Sequence, residues 1–235
     1  MTLESRYQFT METRWYLSSY RAASDVRFAI SQYPSEEMSF SRWQVNWAGI
    51  CALLKTSIVL LRVDSKRCYP GPLKDSLAEA WHRLGRHKDE FPLYWDFVNH
   101  ERNNILKEYE FSAYAQYLKE DGTIQDVPTL LGMIGAKQIL KIAKGPFAGR
   151  DALELASDAA AWTISYIDEA IREAGLDPDE RVTASNFLRR QQGLPAVEQE
   201  ATGGGLLAYL EPAMTKGEDS ATAVEHVSDE KEKGQ

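Results

Sequence analysis

The chain is poor in cysteine and has no obvious targeting segment. Of its 235 residues only two are cysteine, Cys51 in an apolar helical pattern and Cys68 in a turn, so a disulfide framework is not expected. The N-terminus has no charged-then-apolar signal, and the longest apolar stretch, 48–61, is too short to span a bilayer and contains Lys55. These absences predict a cytoplasmic protein with reduced thiols.

The commonest motifs for cofactor, metal and hydrolase chemistry are also missing. The sequence has no Gly-rich phosphate loop, no paired-Cys zinc spacing and no Gly-x-Ser-x-Gly elbow. Glu79 and His82 have the Glu-x-x-His spacing of carboxylate-bridged di-iron bundles, but such sites need a second copy, which the chain lacks. We therefore expect neither a metal nor a cofactor.

The acidic charge is concentrated at one end of the chain. The net charge is −8, of which residues 196–235 carry −6 and residues 1–195 only −2. The body lacks the broad basic excess of a dedicated duplex-binding protein. Any contact with nucleic acid would have to come from a local patch.

Hydrophobic periodicity predicts an all-α fold, a bundle of about five principal helices in a single domain over 1–195. An irregular insertion, with a short strand at 138–143 and a small hairpin, is expected at 119–149. Residues 196–235 have the composition of a flexible acidic tail, within which an apolar patch at 206–210 could dock on the body or a partner. The expected helices cover 11–31, 39–63, 72–84, 91–118 and 151–175, with a short sixth at 185–192.

Arg102 occupies an unusual place in the fourth predicted helix. At about 100° per residue, Trp95, Val98, Leu106 and Tyr109 all fall within roughly 40° of it, so Arg102 begins on an apolar stripe. One interpretation is structural: the side chain snorkels or pairs with a carboxylate of another helix, for example residue 25 or 75. The other is that Arg102 faces a cleft or dimer interface and binds an anion such as phosphate.

The pattern Arg102-Asn103-x-x-x-Lys107-x-Tyr109 resembles the signature of the HEPN superfamily. Members of that family are helical bundles, often metal-independent ribonucleases that act as dimers. The resemblance implies that Arg102 binds the scissile phosphate, that Asn103 supports the site, and that Tyr109 is the position modified with adenylate by nucleotidyltransferase antitoxins.

The resemblance departs from the family at Lys107, which stands where a histidine is expected. A lysine, with a reference pKa of about 10.4, can stabilise phosphate charge but is a poor proton shuttle near neutrality. His100 lies roughly 160° around the helix from Arg102 and is not an obvious substitute.

Two functional hypotheses follow. The first is a HEPN-like protein, either a degenerate ribonuclease or an RNA-binding or regulatory relative of toxin–antitoxin or defence type, which forms a homodimer through the 92–118 helix. Its partners would be RNA and a nucleotidyltransferase antitoxin; Arg102 and Lys107 would be catalytic, and Asn103 and Tyr109 supporting. The second is a non-catalytic helical scaffold or protein-interaction protein in which Arg102 is structural.

Overall fold

The computed structural model describes residues 9–33, 40–119, 121–124 and 137–197, without the side chains of 40, 41 and 137. Within these residues the fold is predominantly helical, which confirms the all-α prediction. The α-helices are α1 Ser18–Ser31, α2 Phe40–Arg67, α3 Pro72–Arg86, α4 His100–Glu108, α5 Ala152–Glu173 and α6 Ala184–Gln191. A π-helix, Leu93–Asn99, leads into α4. The strands are β1 Thr10–Glu12, β2 Ala113–Leu118, β3 Lys137–Ile142 and β4 Arg181–Thr183.

Helix α2 is the centre of the bundle. Its inner face supplies a continuous buried stripe that packs among α1, α3 and α5, and the predicted members of this stripe are Trp43, Trp47, Ile50, Leu54, Ile58 and Leu61. By length and composition the helix Arg42–Arg67 could also cross a membrane, since an 18-residue window within it has a mean hydropathy of 1.4. One such helix is weak evidence of a membrane span, because the core helix of a soluble protein meets the same criteria.

The first helix begins later than the periodicity predicts. Residues 10–12 form β1, which pairs antiparallel with β4, and α1 starts only at Ser18. Thr13 donates its backbone N–H to the carbonyl of Glu180 at 2.9 Å. The prediction of a helix from residue 11 was wrong because the backbone of this segment finds its partners in a strand about 170 residues away in the sequence.

The predicted helix at 91–118 is also interrupted. It is a π-helix followed by α4, and α4 ends at Glu108 because the next residue, Tyr109, adopts a left-handed conformation with φ of 55°. Residues 113–118 instead form β2, paired antiparallel with β3 from Ala113 opposite Ile142 to Leu118 opposite Lys137. The strand predicted at 138–143 is confirmed as β3, whereas residues 125–136 of the predicted insertion lie outside the described residues.

The remaining helices begin at or next to the residues where the sequence predicts a helix start. The Asp151 side chain caps α5 by accepting the backbone N–H groups of Leu153 and Glu154 at 2.9 and 3.1 Å. Pro72 occupies the first turn of α3, and the short helix expected at 185–192 is α6. The predicted acidic tail, with its apolar patch at 206–210, lies almost entirely outside the described residues.

Candidate anion-binding site

The π-helix changes which side chains of α4 face the core. A π-helical turn closes its hydrogen bonds over five residues rather than four, so the side chains that follow are rotated relative to a straight α-helix. Phe97, Glu101 and Ile105 are buried, whereas Leu106 and Tyr109 are 56% and 72% exposed. The apolar stripe predicted around Arg102 is therefore not buried at its C-terminal end, and Arg102 lies half-buried at the border of the core.

Arg102 belongs to a polar cluster that joins α4 to α2. The Lys55 ammonium donates to Oδ1 of Asn99 at 2.7 Å and to Oδ1 of Asn103 at 2.9 Å. The Arg102 guanidinium donates through Nη1 to the same Asn103 oxygen at 3.2 Å. Two cationic side chains thus converge on a single neutral acceptor.

The positive charges of this cluster have no acidic counterpart in the part of the chain that the structure describes. No carboxylate there lies within ion-pairing distance of Lys55, Arg102 or Lys107. The ion pair of Arg102 with Asp25 or Asp75 that the structural interpretation suggested is not formed. Burial, and then the positive charges of Arg102 and Lys107, lower the pKa of Lys55. A bound anion would relieve this repulsion.

Lys107 and Tyr109 extend the same region to the surface. Lys107 follows Asn99 and Asn103 at four-residue intervals, which places the three on one face of the helix, and its side chain is exposed. The Tyr109 ring is exposed and meets Phe111 edge to face, with ring centroids 5.3 Å apart. The structure therefore brings Arg102 and Asn103 into contact with each other, and Lys107 close enough for its charge to act on Lys55.

Sequence reasoning missed Lys55 and Asn99. In the sequence Lys55 interrupts an apolar stretch, and this interruption is the available signal, because a lysine inside the most apolar helix needs a polar partner. The partners could not be identified from the sequence, because they lie 44 and 48 residues further along the chain.

The cluster contains no histidine. The His100 imidazole Nδ1 instead lies 3.1 Å from the side-chain amide of Asn104, elsewhere on α4. No group of three or more metal-ligating side chains occurs in the described segments, and Glu79 of the Glu-x-x-His spacing is paired with Arg86. The cluster can therefore bind an anion, but among the described residues it offers no group whose ordinary pKa suits proton transfer near neutrality.

Comparisons with protein-family models, curated proteins and solved structures find no match. The resemblance to HEPN proteins therefore rests on the sequence of residues 102–109.

Proposed function

We propose that this chain is a cytoplasmic HEPN-like protein that binds the phosphate backbone of RNA through Lys55, Arg102 and Lys107. One observation carries the proposal: Lys55 and Arg102 share the Asn103 oxygen, and no carboxylate of the described residues lies within ion-pairing distance of either. An arginine with a structural role at the border of a core normally forms an ion pair with an acidic side chain. In a phosphate-binding site the cationic side chains instead form their ion pairs with the ligand. The fork of Arg102 would bind two phosphate oxygens, and Lys55 and Lys107 would neutralise the remaining charge.

Binding, rather than cleavage, is the role that the side chains favour. Metal-independent cleavage of RNA requires a general acid and a general base at the phosphate, and histidine usually meets this need. Lys107 replaces the expected histidine. The proposal is therefore a degenerate, RNA-binding or regulatory relative of toxin–antitoxin or defence type.

The surface beside the cluster suits two further parts of this proposal. Exposed Tyr109 offers a ring for stacking on a base and a hydroxyl that a nucleotidyltransferase antitoxin could modify. Exposed Leu106, in the last turn of α4, would also contribute to a homodimer interface, which would bring two basic clusters onto one RNA strand.

The Arg102→Ala variant of the full chain tests the proposal. Binding of a single-stranded RNA oligonucleotide, followed by fluorescence anisotropy, should weaken at least about tenfold, because a charge-assisted contact to phosphate is lost. The Tm should stay near that of the wild type, since no described carboxylate depends on Arg102.

The control is Arg67→Ala, which removes an exposed arginine from the last turn of α2. This variant should bind RNA almost as the wild type does. If Arg102→Ala instead lowers the stability by several kcal/mol and leaves RNA binding unchanged, the alternative of an interaction protein with a structural Arg102 is supported.

A further inference from the structure

A second site lies on another side of α4, away from the basic cluster. A cleft of about 170 Å³ opens between the π-helix and α4 on one side and the segment after β3 on the other. Phe97, Phe111 and Phe147 form apolar walls, and Glu101 also lines the cleft. The volume is well below the roughly 300 Å³ at which sites for drug-sized ligands begin, so a ligand must be small.

Glu101 is a buried carboxylate without a cationic partner. Glu101 is only 2% exposed. Its Oε1 accepts hydrogen bonds from the Trp47 indole N–H at 2.8 Å and from the Ser112 backbone N–H at 3.1 Å. Among the described residues, Oε2 accepts a single, longer hydrogen bond of 3.3 Å from that same Ser112 N–H. Across the described ranges no lysine, arginine or histidine nitrogen lies within ion-pairing distance of it.

The rim of the cleft, like Glu101 itself, is rich in negative charge. Asp96 and Glu110 stand at the exposed edge together with Lys144 and His100. With Glu101 included, three carboxylates face one lysine, so the cleft is acidic when His100 is neutral. Aromatic faces attract cations through their negative ring potential, and this attraction acts in the same direction as the carboxylates.

We propose that this cleft binds a small organic cation, an alkylammonium or alkylguanidinium compound, with Glu101 as its counter-ion. The cationic group enters past Asp96 and Glu110 and reaches the free side of the Glu101 carboxylate. Its alkyl part packs against the phenylalanine walls. Arg102 and Lys55 do not line this cleft, so the cation and the RNA phosphate would contact different charged side chains.

Titration of the full chain with propylguanidinium, and with the neutral isostere propylurea, tests this inference. The indole N–H of Trp47 donates to Glu101, so its NMR resonance reports on that carboxylate. We expect a saturable shift of this resonance with propylguanidinium and none with propylurea. Equal shifts with both compounds would overturn the proposal, since they would show that charge is not recognised.

The Glu101→Gln variant supplies the decisive comparison. Glutamine can keep both short hydrogen bonds through its single side-chain oxygen, so the fold is maintained while the charge is removed. The affinity for propylguanidinium should fall about tenfold or more. Glu108→Gln removes an exposed charge from the same helix but outside the cleft, and it should retain wild-type affinity. Wild-type binding by Glu101→Gln would disprove the role of Glu101.

Two exposed rim variants keep the test valid even if Glu101→Gln fails to fold. Asp96→Asn should weaken propylguanidinium binding at low salt, and Lys144→Gln should strengthen it, each by about twofold to fivefold as expected for exposed charges. Identical affinities in both variants and the wild type would refute an electrostatically selective cleft. The Arg102→Ala variant should bind propylguanidinium normally, which separates this result from that for RNA.

Discussion

Lys55 and Arg102 donate hydrogen bonds to the same oxygen, Oδ1 of Asn103, at 2.9 and 3.2 Å. The two side chains come from different helices, and each brings a full positive charge. Since no described acid neutralises them, their mutual repulsion acts against the folded state of the free protein, and a bound anion would relieve it. This relation between stability and binding leads to the first two predictions.

Replacement of Lys55 by methionine should weaken RNA binding without destabilising the fold. One phosphate contact fewer reduces the slope of log affinity against log salt by about 0.7 for a single strand. The free energy of unfolding should remain unchanged or rise by about 1 kcal/mol, because a desolvated charge is replaced by an apolar side chain of similar length. Anisotropy titrations at several salt concentrations and urea denaturation measure the two effects. Lys66→Met, an exposed change in the same helix, should alter neither; a large loss of stability in Lys55→Met would contradict the assignment.

The affinity for nucleic acid should decrease at alkaline pH through deprotonation of Lys55. Its pKa in the folded protein lies below the ordinary 10.5, chiefly because of burial. Phosphate binding needs the protonated form, so affinity is lost as pH rises through the lowered pKa. The free protein shows the opposite trend: the folded state binds fewer protons than the unfolded state between the two pKa values, so stability from this group rises with pH there. A 2′-O-methyl oligonucleotide allows the binding to be measured in this range, and the Lys55-dependent step should be absent from Lys55→Met.

Arg14 should be essential for the stability of the N-terminal segment. Its guanidinium bonds Asp168 at 2.9 Å, and the two side chains are only 14% and 9% exposed. Arg14→Met leaves this buried carboxylate unpaired and should cost about 3–5 kcal/mol in urea denaturation. The double variant Arg14→Met/Asp168→Asn should recover a large part of the loss; no recovery would mean that the charge on Asp168 is not the cause.

The stability of Arg14→Met should also depend on pH in a defined direction. Burial raises the pKa of Asp168, while the charge of Arg14 opposes this rise. Without Arg14 the folded state binds its proton more strongly than the unfolded state does, so stability falls as pH rises through this window. The gap between variant and wild type should therefore narrow as the pH is lowered from 7 toward about 4, near the reference pKa of aspartate.

Two glycines should respond oppositely to alanine substitution. A Cβ on Gly71, just before α3, would lie 2.0 Å from the carbonyl oxygen of Gln191 at the end of α6. Gly71→Ala must push these backbones apart and should cost at least about 2 kcal/mol. A Cβ on Gly49, inside α2, meets nothing within 4 Å, so Gly49→Ala should stabilise the helix by about 0.5–1 kcal/mol. Thermal denaturation of both variants measures this difference, and a neutral Gly71→Ala would contradict the close approach of α6.

Most of the helical architecture could be predicted from the sequence. The buried stripe of α2, the Pro72 start of α3 and the Asp151 cap of α5 are all encoded by residues within a few turns of each other. Such local signals are read correctly because helical hydrogen bonds and faces depend on neighbours three or four positions apart. The errors occur where backbone partners are distant: β1 pairs with β4, and β2 with β3.

The candidate site also combines a feature that the sequence predicts with contacts that it does not predict. The sequence by itself singled out Arg102, because a charged side chain among apolar residues is visible in a helical pattern. Only the tertiary structure decided what Arg102 contacts, since the π-helix sets its rotation and Lys55 comes from α2. It also placed Glu101, the residue before Arg102, in a cleft with an acidic rim. Charge and hydrophobic periodicity can be read from the sequence. The electrostatic environment of a side chain cannot, because it is set by residues that only folding brings together.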